Sequence, residues 1–291
     1  MGKIVHSDQL NTSTVSSLSD LFPYRCPLIG MIHVPALPGT PAYGGRLSDI
    51  LKKVEEETRV FAELGMDGIL LENMHDIPYL KREVGPEITA GMTAAAQVAR
   101  TYFNGPIGIQ ILAGANQAAL AVALAASLDF VRAEGFVFGH LADEGWMESD
   151  AGKLLRYRKL IGATHIPILA DIKKKHASHA LTQDVDLVET ANAAHFFAAD
   201  GVIVTGNSTG QVVREEDLQV LQATRKKLPV WIGSGLSAEN LPMLYPLIDG
   251  AIVGSWIKKE GFWKNPLEPA RIEQLLEVIG ALRKKEPNDK N

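Results

Sequence analysis

The chain has one cysteine, Cys26, in 291 residues. An intramolecular disulfide is therefore impossible, and the expected setting is a reducing compartment, the cytoplasm first. A small apolar filler is a plainer reading of Cys26 than a nucleophile. Basic charge is also scarce: 29 Lys and Arg stand against 34 Asp and Glu, a net of −5. No basic excess exists to release counterions, so nucleic acid is not an expected partner. No apolar run reaches the roughly 20 residues of a membrane span. The first 20 residues are rich in Ser and Thr but lack a signal-type apolar core, and Lys3, Asp8 and Asp20 make them weak evidence for a mitochondrial or plastid address. The chain has no G-x-G-x-x-G, P-loop or Ser-His-Asp signature. What remains is ordinary globular composition, 46% hydrophobic and 22% charged, with too many apolar residues for a disordered chain.

Eight short apolar runs alternate with helical patterns. They are 28–34, 68–73, 106–112, 130–138, 166–172, 201–206, 229–235 and 250–255. Several are continuously apolar, which suits parallel strands covered on both faces. Leu47, Ile50, Leu51, Val54, Thr58 and Phe61 form one helical stripe, and Ile272, Leu275, Leu276 and Ile279 another. Gly65 reads as a helix stop and Ser237 as an N-cap. Residues 28–283 give 32 residues for each of eight units, the size of a (β/α)₈ TIM barrel in the α/β class. A doubly wound open sheet is the alternative. The expected divisions are a flexible arm 1–27, the barrel 28–283 and a charged tail 284–291.

In a barrel, the carboxyl ends of the strands carry the chemistry. His33 ends the first run, and Glu72 with Asn73 ends the second. Gln110 lies in the third. Arg132 and Glu134 share a face of the fourth. Asp171, Lys173 and Lys175 share a face at the end of the fifth, with His176 beyond, and Thr205 and Asn207 follow the sixth. Singly, each has a structural reading: Arg132 can pair with Glu134, Asp171 with Lys173, and His33 can position a neighbour. Together, so many ionisable groups at one mouth point to a site. Glu72 and Asp171 are the leading acid/base candidates, with His33, Glu134 and Lys173 beside them. Lys173 could form a Schiff base if desolvated, although a Lys-Lys-Lys run is usually a solvated loop. Asn73, Gln110, Arg132, His176, Thr205 and Asn207 are the substrate-binding candidates. No cofactor is expected. A divalent metal on His33, Glu72, Asp171 and His176 has no close ligand spacing behind it.

Two late turns form a second signal. Gly233-Ser234-Gly235 follows the seventh run and Gly254-Ser255-Trp256 the eighth. Glycines admit close backbone approach, helix starts offer free N–H groups, and barrels use these two positions for phosphate. A tight βα turn is the plainer alternative. The Pro-rich loop 33–41 would wall or plug the mouth, and the acidic loop 139–152 with Trp146 would be a lid or an oligomer contact. Trp256, Phe262 and Trp263 offer a homo-oligomer contact or core packing.

The segments GMIHVPALPGTPAYGG, DGILLEN, GIQILAGANQAALAVA, KLLRYRKLIG, ILADIKKKHA, GVIVTGNSTG, WIGSGLSAEN and GAIVGSWIKKEG span Gly30 to Gly261. On them the sequence resembles the BtpA/SgcQ family, a branch of the ribulose-phosphate-binding barrels. The resemblance implies the barrel and a phosphate site. It departs from the family pattern in three places. Arg132-Ala133-Glu134 replaces Arg-Val-Asn, Asp143-Glu144-Gly145 replaces Asp-Gln-Gly, and Asp171 to His176 reads DIKKKH where the family reads DVHVKH. These changes add carboxylate and lysine at the mouth. The expected function is acid/base chemistry on a phosphorylated sugar or ribosyl metabolite: isomerisation, epimerisation, aldol cleavage or glycosidic-bond cleavage. The alternative implied by the family name is a non-catalytic assembly factor for a protein complex such as photosystem I.

Overall fold

Period-two alternation along each strand explains the architecture. Ile29, Met31, Leu70, Phe130, Leu169, Ile203, Trp231 and Ile252 form one buried cluster. Their chain neighbours Leu28, Ile32, Leu71, Val131, Ile168, Val202, Ile232 and Ala251 pack in a second cluster with helix residues such as Phe61, Ala95 and Ile272. The first set fills a barrel and the second seats the helices on it.

The computed structural model describes residues 18–174, 176–206 and 213–285. Its strands are β1 (Leu28–His33), β2 (Gly68–Glu72), β3 (Ile107–Gln110), β4 (Phe130–Ala133), β5 (His140–Ala142), β6 (Gly145–Met147), β7 (Ile168–Ile172), β8 (Ala177–Ser178), β9 (Gly201–Val204), β10 (Val230–Ile232) and β11 (Gly250–Val253). Its helices are α1 (Leu47–Leu64), α2 (Pro86–Tyr102), α3 (Asn116–Ala125), α4 (Ala151–Leu160), α5 (Leu187–Phe196), α6 (Glu215–Val220), α7 (Gln222–Arg225), α8 (Leu241–Leu244) and α9 (Pro269–Lys284). Eight strands close a barrel in the order β1-β11-β10-β9-β7-β4-β3-β2, and all pairs in it are parallel. This is the TIM barrel expected from the apolar runs. The open sheet is excluded because β1 pairs with β11.

The bottom of the barrel is packed with aromatics. Gly108 and Gly250 sit so close to the rings of Phe130 and Trp231 that a Cβ at either would lie within 2.3 Å of a ring carbon. Phe22 contacts both rings, at centroid separations of 6.4 and 5.7 Å. Residues 18–22, within the stretch that composition reads as a loose arm, thus carry a 3₁₀ turn with Leu18 and Phe22 buried against the barrel floor. Cys26 is buried nearby, and burial pushes its thiol up to about 12, which leaves no thiolate for chemistry at neutral pH.

One clamp recurs four times at this end. Asp67, Asp129, Asp200 and Asp249 each precede a strand and accept the first N–H of a neighbouring strand: Leu28, Ile107, Ile168 and Val230, at 2.8 to 2.9 Å. Each also pairs with an arginine from a helix, Arg283, Arg100, Arg158 and Arg225 respectively. The strand-end donors are satisfied, and the helices are tied to the sheet.

Above the barrel, residues 139–152 form no open loop. β5 and β6 make a hairpin, β8 adds to its other edge, and the order is β6-β5-β8. Gly65 ends α1 in the left-handed region at φ 76° as expected. Ser237 makes N-cap bonds after β10, and its carbonyl accepts from the Leu241 N–H at 3.0 Å. Its N–H donates to Asn240 Oδ1 at 2.8 Å and its Oγ accepts from Asn240 N–H at 3.3 Å. This turn leads only into the four-residue α8, which has Pro242 in its first turn.

Candidate functional site

The interior row of every barrel strand ends in a polar side chain or a glycine. His33 on β1 is in register with Glu72 on β2, and Glu72 with Gln110 on β3. Arg132, Asp171, Thr205, Gly233 and Gly254 end the corresponding rows of β4, β7, β9, β10 and β11. A cavity of about 280 Å³ opens over this layer. One side is walled by the turns at Gly233–Ser237 and Gly254–Trp256, the other by Glu72, Glu134, Glu144 and Lys174. Met31, Met74, Tyr79, Leu112 and Leu236 complete the wall.

His33 and Glu72 face each other with Nε2 and Oε2 3.9 Å apart. Trp263 packs edge-on to the His33 ring at 5.6 Å and against His75 at 4.8 Å, so it backs the histidine without lining the cavity. Trp256 lines the cavity, and Phe262 is half exposed. A Cβ placed on Gly254 would lie 3.3 Å from His33 Cε1, so the β11 turn abuts the histidine. A Cβ on Gly233 would lie 3.1 Å from Arg132 Nη2 and 2.6 Å from Ile203. Ser234 is buried, lines the cavity, and its Oγ has no partner among the described residues.

Arg132 is the buried cation of the layer. It donates to both oxygens of Asp171 at 3.0 to 3.2 Å. Burial works against its charge, but Asp171 and Glu72 outweigh burial and raise its pKa. Lys174 is held the same way. Burial opposes its charge, the carboxylates of Glu134 and Glu144 overcome it, and the pKa rises; Nζ lies 3.2 Å from Glu134 Oε1. Both cations stay protonated at neutral pH. His140, behind Lys174, is lowered to about 4 by burial and by Lys174 and His179, and stays neutral.

The structure brings His33, Glu72, Arg132, Glu134, Gly233, Ser234, Gly235, Gly254 and Ser255 to one cavity. The remaining candidates lie elsewhere. Asp171 is enclosed with its carboxylate consumed by Arg132 and does not line the cavity. Lys173 turns away: its φ of 48° breaks the strand's alternation, and Nζ donates to the Thr182 carbonyl at 2.9 Å. Lys174 takes the inward position instead. Asn73 is spent on structure, donating to Asp76 at 2.7 Å and accepting from Leu112 N–H at 2.7 Å. Gln110 and Thr205 are buried in the barrel layer without reaching the cavity wall, and His176 is exposed. Asn207 lies outside the described residues. The four residues weighed as metal ligands do not converge, and no cluster of three His, Cys, Asp or Glu suited to a metal exists among the described residues.

Lys174, Glu144, Tyr79 and Asn240 are cavity residues that no candidate set included. Glu144 arrives on the β5–β6 hairpin. Tyr79 is fixed by donating to the Met74 carbonyl at 2.8 Å. Arg82 anchors the surrounding loops: it pairs with Asp150 at 2.9 Å and donates to the carbonyls of Gly114, Glu134, Gly135 and Glu148.

Comparison with known proteins places this architecture. The thiamine phosphate pyrophosphorylase from Pyrococcus furiosus superposes with a TM-score of 0.54 at 16% identity, covering 88% of this chain and 96% of its own. The phosphoribosyl anthranilate isomerase from Thermus thermophilus gives 0.53 at 15%, covering 88% and 100%. At such identities the likeness shows the barrel fold alone. Sequence relatives are nearer. An uncharacterized mitochondrial protein of Caenorhabditis elegans is 48% identical over 265 residues, 89% of this chain and 95% of its own. The photosystem I biogenesis protein BtpA of Synechocystis is 31% identical over 271 residues, 93% of this chain and 94% of its own. The BtpA family model matches residues 24–281, and the chain belongs to the BtpA family.

Proposed function

We propose that the chain is an enzyme that performs acid/base chemistry on a phosphorylated sugar or ribosyl metabolite. One observation carries this reading: two glycine turns and a set of buried ionisable side chains line the same cavity. The Gly233–Ser237 and Gly254–Ser255 turns would hold the phosphate with Ser234 Oγ and with backbone N–H groups, those of Gly233 and Ser237 excepted because they bond to the Val204 carbonyl and to Asn240. The support comes from the turns themselves, because α8 is too short to contribute a helix dipole. Glu72, with His33 beside it, is the proposed proton-transfer group. Lys174 would stabilise developing negative charge with Glu134 setting its position, and Arg132 would orient the substrate from below. Isomerisation, epimerisation, aldol cleavage and glycosidic-bond cleavage all use such a set.

The test is a thermal-shift titration against a panel of sugar phosphates, since a ligand that binds only the folded chain raises its melting temperature. At least one member should do so, and Gly254→Asp, which pushes a carboxylate toward His33, should abolish the shift. Glu72→Gln should keep the melting temperature and remove turnover of that ligand. If no phosphate compound shifts the protein, the enzyme reading fails.

A second reading, an assembly factor, is favoured by the name of the Synechocystis relative. Pull-down of a stable protein complex that survives Gly254→Asp and Glu72→Gln would favour it. For location we propose the cytoplasm, on the single buried thiol; the name of the worm relative favours mitochondria as the alternative. Fractionation decides between them. Among the described residues no helix is long and apolar enough to cross a membrane.

A further inference from the structure

The two sides of the cavity differ in what they lack. On the side of the turns, Ser234 is 8% exposed and its Oγ is without a partner among the described residues. On the opposite side, Glu134 is 6% exposed, Lys174 serves its Oε1, and its Oε2 has no donor among the described residues. Glu144 Oε2, on the hairpin above, is likewise enclosed with no donor among them. Carboxylate oxygens only accept, and leaving one buried without a donor is costly.

Among the described residues, the carboxyl groups of this layer outnumber its permanent cations. Arg132 and Lys174 stand against Glu134, Glu144 and Asp171, while Glu72 lies beside His33. Arg132 spends its charge on both oxygens of Asp171. Lys174 is shared between Glu134 and Glu144, the two carboxylates that most strongly favour its charged form. Among the described residues, the Glu134–Glu144 side of the cavity therefore sets two carboxylates against one lysine and is short of N–H donors. Between the two sides the wall is largely apolar, formed by Met31, Met74, Leu112, Leu236 and Trp256. At about 280 Å³ the space is at the small end for ligand cavities and suits a monosaccharide-sized molecule.

We infer that the substrate is a phosphate monoester whose other end carries an amine, with the ammonium or amine N–H groups donating to Glu134 Oε2 and Glu144 Oε2. The inference rests on the phosphate reading above and adds the chemistry of the second end. A hydroxyl in the same place would satisfy one oxygen but leave the excess negative charge. An ammonium answers both, through charge-assisted bonds about twice as strong as neutral ones.

The experiment is calorimetric titration of the full chain at pH 7 with two matched pairs. These are glucosamine 6-phosphate against glucose 6-phosphate, and phosphoethanolamine against ethylene glycol monophosphate. In at least one pair the amine should bind about tenfold tighter, the effect of roughly 1.4 kcal/mol. Glu144→Gln should shrink that ratio to about threefold or less. Glu134→Gln, which also loosens Lys174, is the second variant, and both are first checked for an unchanged fold. Equal affinities within both pairs overturn the inference and leave the phosphate reading standing. An amine preference that survives both variants overturns the assignment to these carboxylates. Binding by none of the four probes removes the phosphate reading and the inference together.

Discussion

Asp171→Asn separates a positioning carboxylate from a catalytic one. Asp171 is an acid/base candidate by its place at the end of a strand, yet both its oxygens lie 3.0 to 3.2 Å from the Arg132 guanidinium, and its side chain is 1% exposed. Removing one partner of such a buried pair leaves an uncompensated charge and costs about 3–5 kcal/mol. In a domain of this size that is a fall in melting temperature on the order of 10 °C. Glu72→Gln keeps the shape of the side chain while weakening its 3.9 Å approach to His33 and its field on Arg132, and should cost less than half as much as Asp171→Asn. Thermal melts of the two variants, read by circular dichroism, should therefore differ sharply. The double variant Arg132→Met with Asp171→Leu replaces the pair by apolar groups and should recover most of the lost stability, while ligand binding stays lost. If Asp171→Asn melts within about 2 °C of the parent and loses only turnover, Asp171 acts on the substrate and the positioning argument is wrong.

The clamps at the barrel floor predict that Asp249→Ala, which strands the Val230 N–H and leaves Arg225 only its bonds to Gln222, Pro246 and Ile248, costs about 1–3 kcal/mol in urea melts. A loss below about 0.5 kcal/mol would make the fourfold pattern ornamental. Asp150 predicts a pH effect. Burial raises its pKa from 3.8 to about 6, against Arg82, Asn116 and Lys153, so the native state holds this proton more tightly than the unfolded chain. Its contribution to stability is therefore greatest below about pH 4, falls as pH rises to about 6, and above that is lower by about 3 kcal/mol. Urea melts from pH 4 to 7 should show this slope in the parent and not in Asp150→Asn; parallel profiles would refute it. The pair Lys258–Glu57 is buried at 2.8 Å. Lys258→Met alone should destabilise by about 3–5 kcal/mol, and Lys258→Met with Glu57→Leu should restore most of it.

The barrel was legible because parallel strands covered on both faces leave continuous apolar runs, and all eight runs contain the barrel strands. The clamps were written in the chain as well. Met66-Asp67-Gly68, Leu128-Asp129-Phe130, Ala199-Asp200-Gly201 and Ile248-Asp249-Gly250 repeat one pattern before a strand. Their meaning needed the partner arginines, which come from as far as 216 residues away. Ser237 was legible as an N-cap: it exchanges reciprocal capping bonds with Asn240 and its carbonyl accepts from the Leu241 N–H at 3.0 Å, but the residue does not reveal that the helix it leads into, α8, has only four residues.

The candidate site was legible only as far as strand geometry lasted. Arg132 and Glu134 were placed on one face by alternation, and both line the cavity. The same rule put Asp171 and Lys173 on one face and failed, because β7 ends at Ile172 and Lys173 enters the left-handed region. That one residue reverses the two lysines: Lys173 goes out to the Thr182 carbonyl, and Lys174 comes in to Glu134. Nothing in the chemistry of Lys173 and Lys174 distinguishes the inward one, and Lys175 lies outside the described residues. The distinction lies in the environment. Glu134 and Glu144, on two other elements, supply the field that keeps a lysine charged while largely buried. A carboxylate arriving from a hairpin and a lysine arriving from a kinked strand end meet only in the folded chain. The ionisable side of this cavity is accordingly set by backbone irregularities outside the barrel strands. The glycine turns, which depend on the strand ends themselves, could be read directly from the sequence.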